Sequence, residues 1–271
     1  MVPSLFKNVT LGQYFPGDTV LHRLDPRAKL IFVFIFIVAL FTALNWCSFA
    51  LIFVLTISCI LISKIKMKTL LSGMKPILII ILLTAFLNLF YTPGEPLFDF
   101  WIFHISKEGL KKSILMSGRI ILLISGTLLL TYTTSPIALT DGLEYLLNPL
   151  KKIKVPIHEM SMMMSMALRF IPTLIEEMDK IISAQKARGA DFDTGGLIKK
   201  AKALLPILVP LFVSAFRRAD ELAIAMESRC YHGGEGRTRM KQLKMKTADY
   251  IALALAFAVL MGAVVLSSFG L

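Results

Sequence analysis

The sequence predicts an all-α integral membrane protein, and three observations lead to this class. Hydrophobic residues make up 56% of the 271-residue chain, and the mean hydropathy is +0.71. Charged residues make up 18%, which is less than soluble domains usually carry. The third observation is a series of long apolar runs, which is typical of membrane-spanning helices. We predict about five transmembrane helices, with cytoplasm-facing helices inserted before the last one.

The first apolar run, residues 30–63, contains no charged residue over 34 positions. A single helix of that length, at about 1.5 Å per residue, would exceed a bilayer core of ~30 Å. The polar stretch TALNWCS at 42–48 offers a break. We therefore predict two spans, roughly 29–45 and 48–63, with one long tilted helix as the alternative.

Three more apolar runs follow, and the positive charges beside the spans predict the orientation. Spans three to five are placed at 77–91, 113–134 and 250–269. Arg23, Arg27 and Lys29 flank the first span and four lysines lie within 64–75, whereas the loop between the first two spans is uncharged. Because basic loops favour the cytoplasmic side, we predict a cytoplasmic N-terminus and, with an odd number of spans, an external C-terminus.

The segment between spans four and five combines apolar blocks with dense positive charge. Residues 150–246 hold 18 of the 30 Lys and Arg of the chain. Two apolar blocks, 160–175 and 203–216, are short for spans, and each continues into a charged helical pattern. We predict two long helices, apolar in the first half and polar in the second, that stop at Gly189 and Gly233.

A shorter helix within 135–156 precedes the two long ones. Thr140-Asp141 is its candidate N-terminal cap, and Asn148-Pro149 its end. The chain then divides into an N-terminal cytoplasmic segment at 1–28, a membrane domain of four spans at 29–134, a cytoplasmic helix module at 135–246 and a last span at 247–271.

Each of the two long helices ends in an arginine between two small residues. The tripeptides are Ala187-Arg188-Gly189 and Ser228-Arg229-Cys230. A cation in the last turn of a helix contributes about 0.3–1 kcal/mol through the helix dipole, but lysine would serve equally well. Small neighbours leave a guanidinium accessible, and its fixed fork of donors suits the carbonyls or carboxylates of a partner. Both interpretations, a helix-end charge and a docking tip, stay open on physical grounds.

The apolar halves of the same helices offer a candidate partner surface. Methionines, which are flexible and polarizable, crowd the first block, and Pro206 and Pro210 are expected to kink the second. Such a surface can repack against partners of different shape, and ordinary bundle packing is the alternative. The candidate positions are Met160, Met162, Met163, Met164, Met166, Leu204, Leu205, Leu208, Leu211 and Phe212.

Motifs for catalysis are scarce. The sequence has no P-loop, HExxH or CxxC motif and no aromatic-interleaved basic patch for nucleic acid. We predict no catalytic, cofactor-binding or metal-binding residue.

Two alternatives stay open. Asp141 and Glu144, at i and i+3, would serve a metal-dependent membrane enzyme, although a divalent ion takes more oxygen ligands than these. Arg119 and Arg169, inside apolar runs, would line the path of an autonomous permease.

Five stretches, in order along nearly the whole chain, carry a family resemblance. They are PGDTVLHRLDPRAKL (16–30), NLFYTPGEPLF (88–98), LTDGLEYLLNPLKKIKVPIHE (139–159), ALRFIPTLIEEMDKIISAQKARGADF (167–192) and PILVPLFVSAFRRADELAIAMESRCYHGGEGRTR (206–239). Together they resemble the CbiQ-like family of transmembrane T subunits of energy-coupling factor (ECF) vitamin transporters.

The resemblance implies a role in which this chain performs no catalysis. In that family two Ala-Arg-Gly-type motifs end the cytoplasmic coupling helices, and each arginine inserts into a groove of one of two ATP-binding-cassette (ABC) ATPases. It thus implies that Arg188 and Arg229 dock two ATPase subunits. ATP and Mg would be bound by those partners, with no cofactor on this chain. The second motif departs from the family pattern, with Ser228 and Cys230 beside its arginine.

The resemblance also implies one or more small membrane subunits that bind the substrate, held by the apolar halves of the coupling helices. The chain would be the transmembrane scaffold and coupling subunit of an importer for vitamins or other micronutrients. Motion driven by ATP would pass through it to the substrate-binding subunit. Its location would be the plasma membrane of a prokaryote, and its partners would include the lipid bilayer but no nucleic acid.

Overall fold

The computed structural model describes residues 14–43, 45–94, 96–100, 103–190, 196–233 and 243–269, which are mostly helical. In chain order the helices are α1 (Val20–Arg23), α2 (Pro26–Thr42), α3 (Trp46–Ser63), α4 (Met67–Met74), α5 (Leu78–Tyr91), α6 (Lys107–Thr133), α7 (Pro136–Leu147), α8 (Ile157–Ala187), α9 (Leu197–Glu227) and α10 (Thr247–Ser268). Short 3₁₀ turns at Lys75–Ile77 and Asn148–Ile153 precede α5 and follow α7. The class is the predicted one, an all-α integral membrane protein.

A small β-hairpin between α5 and α6 is an addition that the sequence did not predict. Its strands, β1 (Pro96–Phe100) and β2 (Phe103–Ser106), pair antiparallel. Ser106 links the hairpin to both neighbouring helices, because its hydroxyl donates to the Thr92 carbonyl and accepts from the Gly109 N–H, each at 2.9 Å. Strands this short give no clear period-2 pattern in a sequence.

Four described stretches are long and apolar enough to cross a membrane. They are α3, the stretch Met67–Tyr91 that contains α4 and α5, α6, and α10. The remaining predicted span is α2, whose 17 residues lie at the short end of the usual range of about 17–25. The helices therefore lie where the five spans were predicted.

The long uncharged run is broken into two helices, as the polar stretch at 42–48 predicted. α2 ends at Thr42 and α3 begins at Trp46, so the alternative of one long tilted helix is wrong. Arg119 of α6 stabilises the break, because its Nη2 donates to the Ala43 carbonyl at 2.6 Å. That carbonyl lies at the end of α2, where helical acceptors lack intrahelical donors.

The spans pack through a core of large side chains and through close contacts at small residues. Phe36, Leu40 and Ile52 are almost completely buried in one cluster with Ala263. The Ser48 hydroxyl donates to the Ala263 carbonyl at 3.2 Å, which joins α3 to α10. Small residues of this kind let membrane helices approach closely and form hydrogen bonds across the interface.

The chain forms two compact units. One contains the described residues of 12–146 and from 242 onward, and so holds α1 to α6, nearly all of α7, and α10. The other contains the described residues of 147–241, and so holds α8 and α9. The division into four segments made from the sequence stays a prediction.

Two helix boundaries differ from the predicted ones. α7 begins at Pro136, earlier than the Thr140-Asp141 cap signal, because the Ser135 hydroxyl accepts from the Ala138 N–H at 3.3 Å and caps the helix there. α9 begins at Leu197 and continues through Pro206 and Pro210 to Glu227. Its charged first turns were not expected to be helical, since the apolar block begins only at residue 203.

Candidate functional site

Arg188 lies at the C-terminal end of α8, in a geometry that depends on the glycine after it. The Gly189 N–H donates to the Lys186 carbonyl and the Ala190 N–H to the Gln185 carbonyl, both at 3.0 Å. Gly189 has φ +86. These two bonds with a left-handed residue between them form a Schellman motif. Arg188 is therefore the residue at which the helix ends.

Arg229 occupies the equivalent position at the end of α9. The Cys230 N–H donates to the Glu227 carbonyl at 2.9 Å and the Tyr231 N–H to the Met226 carbonyl at 3.1 Å. Cys230 takes the place of the glycine, with φ +56. The predicted stop at Gly233 is thus wrong, since the helix ends at Glu227 and Cys230 makes the left-handed turn.

The residue after each arginine adopts a left-handed backbone conformation, which the sequence indicated for Gly189 but not for Cys230. A left-handed residue with a side chain costs roughly 1–2 kcal/mol, which glycine avoids. A methyl group at Gly189 would meet no atom within 4 Å, so space is not the constraint there. Glycine in the first motif is explained by φ, and Cys230 carries the backbone strain in the second.

Both arginines are accessible to a partner. Arg188 and Arg229 are exposed, and neither guanidinium has a hydrogen-bond or ion-pair partner among the described residues. The residues beside them that were predicted as part of the docking site are exposed as well: Ala187, Gly189, Ser228 and Cys230.

α8 and α9 pack against each other and run in opposite directions. Gln185 contacts Pro206 by a hydrogen bond of 3.2 Å, and Glu177 contacts Arg218 by an ion pair of 2.7 Å. Higher residue numbers in α8 therefore contact lower residue numbers in α9. Arg188 lies close to the level of Pro206, while Arg229 lies roughly 35 Å further along α9 at about 1.5 Å per residue. The two arginines are at opposite ends of the helix pair.

The Glu177–Arg218 pair is also held by a neighbouring hydroxyl. The Ser214 side chain donates to the Glu177 carboxylate, and together with the Arg218 guanidinium it lowers the pKa of Glu177 below the ordinary value. The carboxylate is therefore ionised in its contact with α9 at neutral pH. A charge-assisted bond of this kind fixes the helices in register more firmly than a neutral one.

The candidate partner surface is exposed on both helices. Phe212 is 60% exposed and Met163 59%. Exposed apolar side chains of this size gain free energy when a bilayer or a partner covers them. The other exposed positions are Met160, Met164, Leu204, Leu205 and Leu208, while Met162, Met166 and Leu211 are half-buried.

The candidate residues of the two alternative hypotheses, a metal-dependent membrane enzyme and an autonomous permease, lie on three different helices. Asp141 and Glu144 both lie on α7, and both have partners in the structure. No group of three or more His, Cys, Asp or Glu within the described ranges is placed to hold a metal ion. Arg119 bonds the end of α2, and Arg169 is exposed on α8. Arg119 therefore has a structural role in holding the α2–α3 break.

A buried polar cluster at the starts of α2 and α10 was missed as a site. Asp25 caps α2, accepting from the Arg27 N–H at 2.9 Å, and its own N–H donates to Asp249 Oδ1 at 2.7 Å. The other carboxylate oxygen of Asp249 accepts from the Lys246 N–H at 2.6 Å. Arg27 Nη2 donates to the Leu243 carbonyl at 2.7 Å. These bonds join the first turns of two spans.

The same cluster reaches the end of α6 through Lys29. Its Nζ donates to the Thr133 carbonyl and the Thr134 hydroxyl, each at 2.9 Å. In the sequence, Arg27 and Lys29 are recognisable only as charges that predict orientation. Asp25-Pro26 was a readable signal, because Asp at the cap with Pro at the first helical position is a common helix start.

This geometry defines a class of protein, a polytopic helical membrane protein with a pair of long helices that carry exposed arginines at opposite ends. Residues 17–240 match the CbiQ family, which is described as cobalt transport protein. The chain is 55% identical over 250 residues to the energy-coupling factor transporter transmembrane protein EcfT of Clostridium kluyveri, covering 92% of this chain and 93% of that protein.

Proteins with the same name show comparable similarity in other bacteria. The identity is 53% over 246 residues in Thermosediminibacter oceani, covering 91% of this chain and 93% of the relative. It is 47% over 244 residues in Lactococcus lactis subsp. cremoris, covering 90% and 92%. The chain belongs to the family of transmembrane components of energy-coupling factor transporters. It is therefore a membrane-embedded transport subunit of a multi-subunit assembly.

Proposed function

We propose that this chain is the scaffold and coupling subunit of an ECF-type ABC importer for vitamins or other micronutrients. The observation that carries the proposal is the equivalence of Arg188 and Arg229. Both end a long helix in the same hydrogen-bonded turn, both are exposed, and the antiparallel packing of α8 and α9 separates them. Two separated and equivalent tips suit two ATPase subunits.

Each arginine acts as a docking tip. A guanidinium presents five donors in a rigid fork and pairs well with carboxylates or carbonyls in a groove. The turn after it directs the chain away, so the side chain stands at the end of the helix. ATP and Mg are bound by the two partner ATPases, and this chain supplies no catalytic residue. The N-terminus and the tips of both helices lie on the cytoplasmic side of a prokaryotic plasma membrane.

The apolar halves of α8 and α9 hold the substrate-binding subunit. Leu205 and Phe212 on α9 are 56% and 60% exposed, and Met163 on α8 is 59% exposed. Apolar side chains at this exposure are stabilised only when a bilayer or a partner covers them. Flexible methionines allow the same surface to fit one or several small membrane subunits.

Each of the two helices carries both a docking arginine and an apolar half. Movement of one part of the helix is therefore transmitted to the other. When the ATPases close on ATP, they move the tips at Arg188 and Arg229. The Glu177–Arg218 pair and the Gln185–Pro206 bond keep α8 and α9 together, so the helices move as an antiparallel pair. Their apolar halves then change position under the substrate-binding subunit and release or reorient it.

The decisive experiment reverses both docking charges. We expect Arg188→Glu combined with Arg229→Glu to abolish co-purification of the ATPase subunits and ATP-driven uptake. The matched control is Lys202→Glu combined with Arg217→Glu, which makes the same charge change at two exposed positions of α9 and should keep both activities. Intact ATPase association and uptake in the docking variant would refute the proposal.

A second variant separates the two partner surfaces. Phe212→Glu places a charge in the exposed apolar face of α9 and is expected to release the substrate-binding subunit while the ATPases remain bound. The control is Glu221→Gln, at an exposed position on the polar half of the same helix. Loss of the ATPases instead, with the small subunit retained, would show that this face has a different partner.

A further inference from the structure

A cavity of about 350 Å³ lies among the membrane spans, at the end of the bundle where α2 and α10 begin. α1, α2, α3, α6 and α10 form its walls. Its volume is near the lower limit of typical ligand sites, about 300–1,000 Å³. We propose that this cavity binds one acyl chain of a membrane phospholipid.

The chemistry of the wall restricts the occupant to an apolar one. Most lining side chains are aliphatic or aromatic, among them Phe32, Val33 and Leu130. The side-chain oxygen and nitrogen groups in the wall are already used within the protein. The Thr56 hydroxyl donates to the Ile52 carbonyl at 2.8 Å, and the wall residues Thr133 and Lys29 are satisfied in the same way.

Thr133 and Lys29 lie together in the wall of the cavity, and both form hydrogen bonds within the protein. The Thr133 hydroxyl donates to the Leu129 carbonyl at 2.8 Å. Lys29 Nζ donates to the Thr133 carbonyl and the Thr134 hydroxyl at 2.9 Å. A water molecule needs two to four polar partners in a buried site, and this wall offers no free ones among the described residues. An ion or a polar solute is excluded for the same reason.

The cavity is continuous with the surface that faces the bilayer. Ile251 and Leu255 of α10 line it and are 62% and 47% exposed, and Ile62 of α3 lines it and is 49% exposed. A lipid tail can therefore enter from the side without crossing a polar barrier. An acyl chain is the one apolar molecule that a bilayer supplies in excess at this position.

The shape of the cavity follows from the packing of two spans. α3 and α10 touch where the Ser48 hydroxyl meets the Ala263 carbonyl. Further along the same pair, α3 residues within 55–62 and α10 residues within 248–255 line the cavity. The lining part of each helix extends roughly 10 Å along its axis at about 1.5 Å per residue, a length that accommodates part of a lipid tail. An empty cavity would lose the dispersion contacts that an acyl chain restores.

Ala252 provides a way to fill the cavity without touching the proposed docking surfaces. It is a half-buried wall residue of α10. Ala254 lies two positions further on the same helix, is exposed and is outside the wall. Ala252→Trp therefore fills the site, and Ala254→Trp is the matched control. Ala252→Leu is a smaller filler for use if the tryptophan variant does not fold.

The test uses the assembled transporter in nanodiscs of phosphatidylethanolamine and phosphatidylglycerol. The probe is phosphatidylcholine with a diazirine near the end of one acyl chain, and labelled peptides are mapped by mass spectrometry. We expect wall positions such as Cys59 and Leu130 to be labelled in the natural protein and in Ala254→Trp. The Ala252 variants should lose this label but keep the label on Ile79, which is 75% exposed on α5.

Two results would overturn the proposal. Equal labelling of the wall in the filled variants would mean that the label comes from general contact with lipid. No labelling of the wall in the natural protein would mean that a polypeptide segment or nothing occupies the cavity. Both results are independent of ATPase docking, because Ala252 is not among the proposed docking residues.

Discussion

Gln185 of α8 donates from its side-chain Nε2 to the carbonyl oxygen of Pro206 in α9 at 3.2 Å. In a regular helix that carbonyl would accept from the N–H of residue 210. Residue 210 is proline, which has no N–H. Gln185 thus supplies the donor that Pro210 removes, and it does so one turn before Arg188. The end of α8 is attached to α9 at the point where α9 is weakened.

This relationship predicts that the two residues are energetically coupled. Gln185→Leu should weaken the α8–α9 contact by about 0.5–1.5 kcal/mol, the usual net contribution of one hydrogen bond. Pro210→Ala returns an N–H to the Pro206 carbonyl, so the same Gln185→Leu change should then cost little. Hydrogen exchange of the last turn of α8 in both single variants and the double variant measures the coupling.

The control for that cycle is Pro172→Ala, which also removes a proline inside a helix but lies in α8. Pro172→Ala should leave the cost of Gln185→Leu unchanged. Full additivity of Gln185→Leu and Pro210→Ala would mean that Gln185 does not substitute for the N–H that Pro210 lacks.

The left-handed residue after each arginine gives a second prediction. Gly189→Ala should destabilise the end of α8 by roughly 1–2 kcal/mol, because alanine is strained at φ +86. The matched control is Gly196→Ala, at a glycine that also has open space around it but a φ of −69. Faster hydrogen exchange at 188–190 in the first variant only, with weaker ATPase binding, is the expected result.

The second motif should respond in the opposite direction. Cys230→Gly removes the strain at φ +56, but it also gives the unfolded chain more freedom. The net gain in stability at the end of α9 should therefore be below about 1 kcal/mol. Destabilisation by Cys230→Gly would mean that the cysteine side chain makes a contact that outweighs its backbone strain.

The buried polar cluster gives a third prediction. Asp249 is 1% exposed and accepts from the N–H groups of Asp25 and Lys246. Asp249→Ala leaves both N–H groups without this acceptor, at about 1–3 kcal/mol each. We expect a marked fall in the thermal unfolding temperature of the detergent-solubilised protein, with partial recovery in Asp249→Asn, which retains one oxygen.

The control for Asp249 is Asp220→Ala, at an exposed position of α9. It removes the same charge and should leave the unfolding temperature nearly unchanged. An equal effect of the two substitutions would mean that net charge, and not the bonds to Asp25 and Lys246, determines the result.

The Glu177–Arg218 contact gives a prediction about pH. The Ser214 hydroxyl and the Arg218 guanidinium hold the pKa of Glu177 below its ordinary value of 4.5. A lowered pKa in the packed state means that the contact is fully stabilising above pH 4.5 and weakens as the pH falls through the lowered pKa. Distances between spin labels on the polar halves of α8 and α9 should therefore broaden in acid.

Glu177→Gln is the test of that assignment. The variant has no carboxylate to protonate, so its distance distribution should be broader at neutral pH and should not change between neutral and acidic conditions. The same acid-induced broadening in Glu177→Gln as in the natural protein would assign the effect to another group.

Much of the fold was readable from local sequence. The absence of charge over residues 30–63 and the polar stretch within it determined two spans, because a charge inside a bilayer is costly and a helix of that length is too long for one crossing. The ends of α8 and α7 followed from Gly189 and from Asn148-Pro149. Each of these signals acts through the few residues around it, so the pattern alone was sufficient.

By itself the sequence also determined that Arg188 and Arg229 follow helical runs and have small neighbours. Only the tertiary structure decided that α8 and α9 are antiparallel, which places the two arginines at opposite ends of the pair. It also decided that Cys230 replaces glycine in a left-handed turn, and that Asp249 bonds to Asp25. The antiparallel packing and the Asp249–Asp25 bond depend on contacts between residues far apart in the chain, where the free energy of packing and burial selects the partner. The turn at Cys230 is closed by local bonds to Glu227 and Met226, but a cysteine in the sequence does not indicate a left-handed residue.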